Sequence, residues 1–290
     1  MVQTRSHGKP GARDIGKGGD SSATGQKIPQ KRSHSKTEAS NDSNKVKVKA
    51  NKRAKKEEKE DMKSQSTQSK PDSLAKSTIA TLIEKYGSLP LSDSAVDEPL
   101  SPKPETMLAL LLNAMFSSAR ISHELAAKTL TTTIKAGYHK INVLKKTSWD
   151  ERTRVLTEGG YTRYREKTAT ALGDLVEFLE ENYQGDLNNL LPGPATDSSP
   201  SEIRKRLKEI KGLGDVGVDI FCDAAQAVWP CLAPFVDPRS AKTAEAIGIP
   251  SDAQALWESE EVNKDPMKMA RLAAGLTTVR LEKKETEFKN

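Results

Sequence analysis

The sequence predicts an all-α protein, and three observations carry that expectation. Apolar residues recur at three- and four-residue intervals from Leu74 onward, the period of a helix with one buried face. No stretch sustains the two-residue alternation of Val, Ile and Thr that a half-buried strand needs. Helix starts of the form Ser-x-x-Glu at 148–151 and 199–202, and glycine stops such as Gly159-Gly160, punctuate the chain.

Residues 1–72 come first and hold almost no large apolar side chains among their Gly, Ser, Lys and Asn. Such a segment cannot bury enough surface to offset a backbone entropy of roughly 1–2 kcal/mol per residue. It is expected to be a disordered basic tail. A helix follows over 74–86, where Leu74, Thr78, Ile79, Leu82, Ile83 and Tyr86 share a face and Gly87 supplies the stop. After a Pro- and Ser-rich connection at 88–104, the run MLALLLNAMF at 107–116 reads as a helix apolar on every side, hence buried. Ser117 to Ser122 break it before a helix at 123–136. The capping box at Ser148 opens a helix that ends at Gly159-Gly160. Arg165–Tyr183 places Leu172, Leu175, Val176, Leu179 and Tyr183 on one face. A Pro-rich surface loop at 191–200 leads to a helix and then a hairpin. Pro250 and Ser251 start a helix through Trp257. The last helix, about 267–282, looks thin for an element closing a lobe, and its charged end LEKKETEFKN reads as unstructured.

Charge is uneven along the 290 residues. Residues 1–70 carry 18 Lys and Arg against 8 Asp and Glu, whereas 71–290 carry 28 against 32. The pI of 9.1 therefore belongs to the tail. A basic arm on a near-neutral domain suits a polyanion such as nucleic acid. The dense run KVKVKANKRAKK at 45–56 reads as a nuclear import signal or a DNA tether, or as a merely solubilising stretch. Two cysteines, Cys222 and Cys231, build neither a disulfide framework nor a four-thiolate metal site. No run approaches membrane-spanning length and no signal-peptide core is present, so a soluble intracellular protein is expected. His7 and His34 lie in the tail. His123 and His139 lack carboxylates or cysteines at ligand spacing and are expected to be surface residues. Trp149, Trp229 and Trp257 are expected in the core rather than as stacking platforms.

The stretch 202–248 holds the chemistry. Ile203, Leu207 and Ile210 form the apolar face of a leading helix; Val216, Ile220, Ala224 and Ala227 are expected to form that of a trailing one. Gly212 and Gly214 between them permit positive φ or close approach. The turn amides then converge on an anion site suited to a backbone phosphate, or the turn is an ordinary connection. Asp237 precedes Pro238 at a helix start, an N-cap by position. It also follows the apolar segment 231–236, where a partly desolvated carboxylate could stabilise a cation or activate water. Spacing does not choose between cap and catalyst.

Residues from about Pro104 to Gly248 resemble the helix-hairpin-helix (HhH-GPD) DNA glycosylase superfamily, endonuclease III-like. The hairpin IKGLG at 210–214 and the later Val236-Asp237 match its hairpin and its V-D pair. Upstream, Leu111-Leu112, then Ser118-Ala119-Arg120, then Lys128 match a buried helix, a Ser-Ala-Gln segment and a helical lysine. The resemblance implies a two-lobed helical fold: a barrel with the hairpin at 104–230, and a second lobe from 74–87 plus 237–283. It implies a monomeric base-excision glycosylase that acts on double-stranded DNA in the nucleus. Asp237 is then the catalytic carboxylate. Lys211, Gly212, Leu213, Gly214 and Val216 hold a phosphate, with a monovalent cation on the carbonyls of 211–214. Ser118 and Arg120 lie near the gap left by a flipped nucleotide, where Arg120 fills the gap or is a plain helix-start charge.

Three departures qualify it. The position of the family's Schiff-base lysine is Val216, which has no nucleophile, so a monofunctional enzyme without lyase activity is expected. The cluster-binding cysteines are missing, so no iron–sulfur cofactor is expected, nor any other. Asp215 and Asp219 put negative charge beside the phosphate grip. The rival reading is a catalytically inactive helix-hairpin-helix DNA-binding protein; a chromatin scaffold acting through the tail is a third.

Overall fold

In a computed structural model, residues 69–191 and 199–288 are described; the run at 45–56 and most of the Pro-rich loop lie outside them. The described residues contain helices and turns and no strand. They belong to one unit, Glu58–Asn290, with two hydrophobic clusters inside it.

The first cluster is built on α2 (Pro104–Ser117), whose residues from Thr106 to Phe116 are all buried. Around it stand α3 (His123–Lys135), the short α4 (Ile141–Leu144), α5 (Trp149–Glu158) and α6 (Arg165–Tyr183). The hairpin helices α7 (Pro200–Lys208) and α8 (Asp215–Ala225) complete it. Capping follows the expected chemistry: the Ser148 and Ser199 hydroxyls accept from the Glu151 and Glu202 amides at 3.1 and 3.3 Å.

The second cluster joins distant parts of the chain. α1 (Ser69–Thr81) runs into a π-helical turn, Leu82–Tyr86, which packs on α11 (Pro266–Leu281) together with α9 (Pro238–Ala246) and α10 (Ala253–Glu258). α11 also touches α8, so the hairpin helix and the last long helix are where the clusters meet. No helix among the described residues is long and apolar enough to cross a membrane.

Several expectations need correction. α1 starts at Ser69, inside the stretch expected to lack structure. Gly87 is not a left-handed stop, since its φ is −84°. A Cβ there would sit 2.5 Å from the Ile83 carbonyl and 2.7 Å from that of Arg271, so glycine serves close approach. α10 starts at Ala253 with Asp252 as its cap, not at Pro250 and Ser251. α11 is not thin: Met269, Ala270, Leu272, Ala273, Gly275, Leu276 and Val279 are all buried. Its small residues lower the apparent hydrophobicity while letting it approach its neighbours. The charged end is ordered through 288, where Phe288 packs edge-on against Tyr86 and the Tyr86 hydroxyl donates to Glu287 at 2.6 Å. His139 is buried, and burial lowers its pKa.

The trailing hairpin helix turns a different face inward. Gly217, Val218, Phe221, Cys222 and Ala225 are buried, whereas Val216 is exposed and Ile220 half-buried. Of the row Val216, Ile220, Ala224 expected in the core, Ala224 is buried there, Ile220 packs against it half-buried and Val216 is exposed; Ile220 and Ala224 also line a cavity.

Candidate active site

The hairpin positions the amino end of α8. Gly212 has φ +91°, where a side chain would be strained, and the Leu213 amide closes the turn on the Ile210 carbonyl at 3.0 Å. Leu213 itself is buried in the first cluster, so its side chain is an anchor. The amides of the first turn of α8 have no partner within the helix. Of the hairpin carbonyls, that of Gly214 accepts from the Val218 amide at 3.0 Å.

The acidic residues of the hairpin are matched by cations. Lys208 pairs with Asp215, and the Arg204 Nη2 donates to Asp219 Oδ1 at 2.5 Å. Lys211 pairs with Asp174 of α6 at 2.8 Å. The negative charge expected to weaken a phosphate grip is thus largely neutralised by α7. Ser118 caps α2 and donates to the Met115 carbonyl at 3.0 Å, and a Cβ on Gly217 would lie 3.4 Å from its hydroxyl. The turn after α2 therefore abuts the hairpin. Arg120 in that turn is exposed and takes part in no ion pair among the described residues.

Asp237 lies beyond the other end of α8. Residue 223 is seven positions past Val216, about 10 Å along a helix axis. Asp237 caps α9, accepting from the Arg239 amide at 2.8 Å and the Arg239 Nε at 3.1 Å on Oδ1. Its Oδ2 accepts from the Ser240 hydroxyl, itself 3.0 Å from that of Thr277 on α11. The residue is 1% exposed. Cap and buried charge are one arrangement here.

Sequence reasoning missed the partner. The Asp237 amide donates at 3.0 Å to Asp223, and the two carboxyl groups share a hydrogen bond. Burial, then the charge of Asp237, pushes the Asp223 pKa well above its ordinary value. Burial also opposes ionisation of Asp237. Hydrogen bonds from Ser240, from the Arg239 amide and guanidinium, and from Asp223 outweigh it, and the pKa of Asp237 is lowered. Asp223 thus holds its proton more tightly than an ordinary carboxyl, and Asp237 more loosely. Seven-residue spacing on α8 could not reveal this, because Asp237 approaches from another element.

The loop carrying Asp237 is clamped to α8. Gln226, fully buried, accepts from the Phe235 amide at 3.1 Å and donates to the Phe235 carbonyl at 2.9 Å. Arg204 covers the Phe235 ring at 4.9 Å, linking the hairpin's leading helix to the same loop. Trp229 is core, edge-on to Phe221 with its indole donating to Asn188 at 2.9 Å.

A cavity of about 400 Å³ opens beside this carboxyl pair, between α2, α3, α8 and α11. Asp223, Arg239 and Arg280 line it, with Asn113, His123 and Thr277. That volume is within the usual small-ligand range.

No protein-family model matches the chain, and none of the curated proteins does. Among solved structures, the chain is similar to the Helicobacter pylori 3-methyladenine DNA glycosylase MagIII, crystallised with 1,N6-ethenoadenine. The TM-score is 0.44 at 15% identity, covering 72% of this chain and 98% of that one.

Proposed function

We propose that the chain is a DNA base-excision glycosylase that hydrolyses the N-glycosidic bond of a damaged or mispaired base. One observation carries the reading: a buried, ionised Asp237, held by Ser240 and Arg239, stands behind a base-sized cavity whose wall includes its partner Asp223. Both oxygens of Asp237 are engaged, so it acts as a fixed negative charge beside the sugar rather than as a nucleophile. Such a preorganised charge stabilises the cation that develops as the base departs. The amides of the α8 amino end supply a grip for one backbone phosphate. A monovalent cation on the carbonyls of 211–214 would add positive charge there. Val216 offers no amine, so water rather than a lysine completes the reaction.

Double-stranded DNA as partner, a nuclear location, a monomeric state and freedom from an iron–sulfur cluster or other cofactor belong to the same proposal. So does the basic segment 1–68 as an electrostatic tether.

The rival is a DNA-binding protein without chemistry. The complete hydrogen bonding of Asp237 as a helix cap favours it. Base release decides between them. Purified protein would be incubated with duplexes carrying oxidised, deaminated, alkylated or mispaired bases, alongside Asp237→Asn, which keeps the cap and removes the charge. The expected result is release lost by about 10²-fold or more, the scale of one preorganised electrostatic group. Release that survives the substitution would sink the role of Asp237. Binding without release on every duplex would establish the rival.

A further inference from the structure

The substrate class of this site follows from charges that the proposed reaction does not use. Arg280, near the end of α11, is half-buried and lines the cavity; its buried Nε has no hydrogen-bond partner, and no ion pair holds the side chain among the described residues. Buried donors without an acceptor are uncommon and cost free energy. Burial and the neighbouring Arg239 lower the Arg280 pKa, but a guanidinium stays charged in proteins. Of the other charged groups near the inner wall, Arg239 is paired with Asp237 at 3.1 Å, and burial raises the pKa of Asp223. Asp93, exposed on the loop before α2, stands among the lining groups. Among the described residues no Phe, Tyr or Trp lines the cavity.

We infer that the cavity takes a neutral base rich in carbonyl oxygens, an oxidised or deaminated base, and excludes N-alkylated cationic bases. This rests on the glycosylase reading. The Arg280 guanidinium offers paired donors to carbonyl and ring-nitrogen acceptors, the geometry with which arginine reads a base edge. A cationic base would meet an unpaired positive charge and no aromatic face to attract it. The chemistry of departure agrees. The bond between C1′ and the base nitrogen breaks with both electrons leaving on the base. Water then forms the new C1′–O bond, and its proton ends on the base. A neutral base departs as an anion, which Arg280 stabilises; a cationic base departs neutral and gains nothing from it.

The test compares duplexes holding 8-oxoguanine, uracil or hypoxanthine with one holding 7-methylguanine, using the full chain and Arg280→Met. A duplex with a tetrahydrofuran abasic analogue serves for binding. The inference expects release from at least one carbonyl-bearing lesion and none from 7-methylguanine. Arg280→Met should lower kcat/KM by about 10- to 100-fold, the scale of a charged hydrogen bond, and leave abasic-duplex affinity within about twofold. Release confined to 7-methylguanine overturns the inference and leaves the glycosylase reading standing. Equal loss on the abasic duplex also overturns it, since Arg280 would then hold a phosphate. No release from any duplex overturns both.

Discussion

The Asp237 amide donates to the Asp223 carboxyl at 3.0 Å across fourteen residues of chain. That bond ties the start of α9 to the last turn of α8 and places two carboxyl groups where both cannot ionise at low cost. Burial and its neighbour raise the pKa of Asp223, and four hydrogen bonds lower that of Asp237. Opposite shifts in adjacent carboxyls are the pattern of an assigned acid and base.

The pair sets a pH dependence with a definite sign. Asp223 binds its proton more tightly folded than unfolded, so its contribution is fully present below the ordinary value of about 3.9 and is lost as pH rises toward its folded value. Asp237 behaves oppositely: its contribution is present above about 3.9 and lost as pH falls through its lowered value. Asp223→Asn keeps a donor and an acceptor and removes the titration. Urea denaturation from about pH 4.5 to 7 should show the variant gaining on wild type as pH rises, by up to about 1.4 kcal/mol per pH unit for one proton. Parallel curves would mean that Asp223 is already ionised.

Arg204 joins the hairpin to the loop that carries Asp237 through Asp219 and the Phe235 ring. Its side chain is 26% exposed and that of Asp219 14%. Arg204→Ala leaves the Asp219 carboxylate half-shielded and unpaired and strips the cover from Phe235. A loss of about 2–3 kcal/mol is expected, below the figure for a fully buried pair. Adding Asp219→Asn should recover part of it in a double-mutant cycle. Additive losses would mean that the pair contributes nothing of its own.

The parts legible in the sequence are those written in local signals. The Ser148 and Ser199 caps, the limits of Arg165–Tyr183, the apolar α2 and the glycine turn at Gly212 all depend on neighbours in the chain. The parts that escaped depend on distant ones. Val216, Ile220 and Ala224 have helical spacing, but spacing does not say whether the face they share meets core or cavity. His139 carries no local mark of burial, and Asp223 and Gln226 look like ordinary polar helix residues until the Phe235 loop arrives. α11 seemed weak because Ala270, Ala273 and Gly275 score low, although small size is what its packing requires.

Gly275 states that requirement most sharply. A Cβ there would lie 2.6 Å from the Leu82 carbonyl oxygen and 3.1 Å from its carbon. Alanine is the better helix former by about 1 kcal/mol, yet Gly275→Ala must push α11 off the π-helical turn. Overpacking of this kind costs about 1–3 kcal/mol, so a lower Tm is expected. A rise in Tm would mean that the two elements can separate freely.

Val216 tests the chemistry itself. It is the second residue of α8, 42% exposed, on the face whose next turns supply Ile220 and Ala224 to the cavity. Side chains three and four residues apart share a helix face, so under the proposed function a longer group at this position would extend toward the sugar of a bound nucleotide. The wild-type chain should form no covalent adduct with an abasic-site duplex under borohydride, because hydrolysis leaves no imine to reduce. Val216→Lys supplies an amine at the positive end of the α8 dipole, which disfavours the ammonium form and favours attack on C1′. A borohydride-stable band shift with this variant alone is expected. A shift with wild type would put an unrecognised amine in the site and end the monofunctional reading. No shift with either protein would place the start of α8 too far from C1′ for the proposed pose.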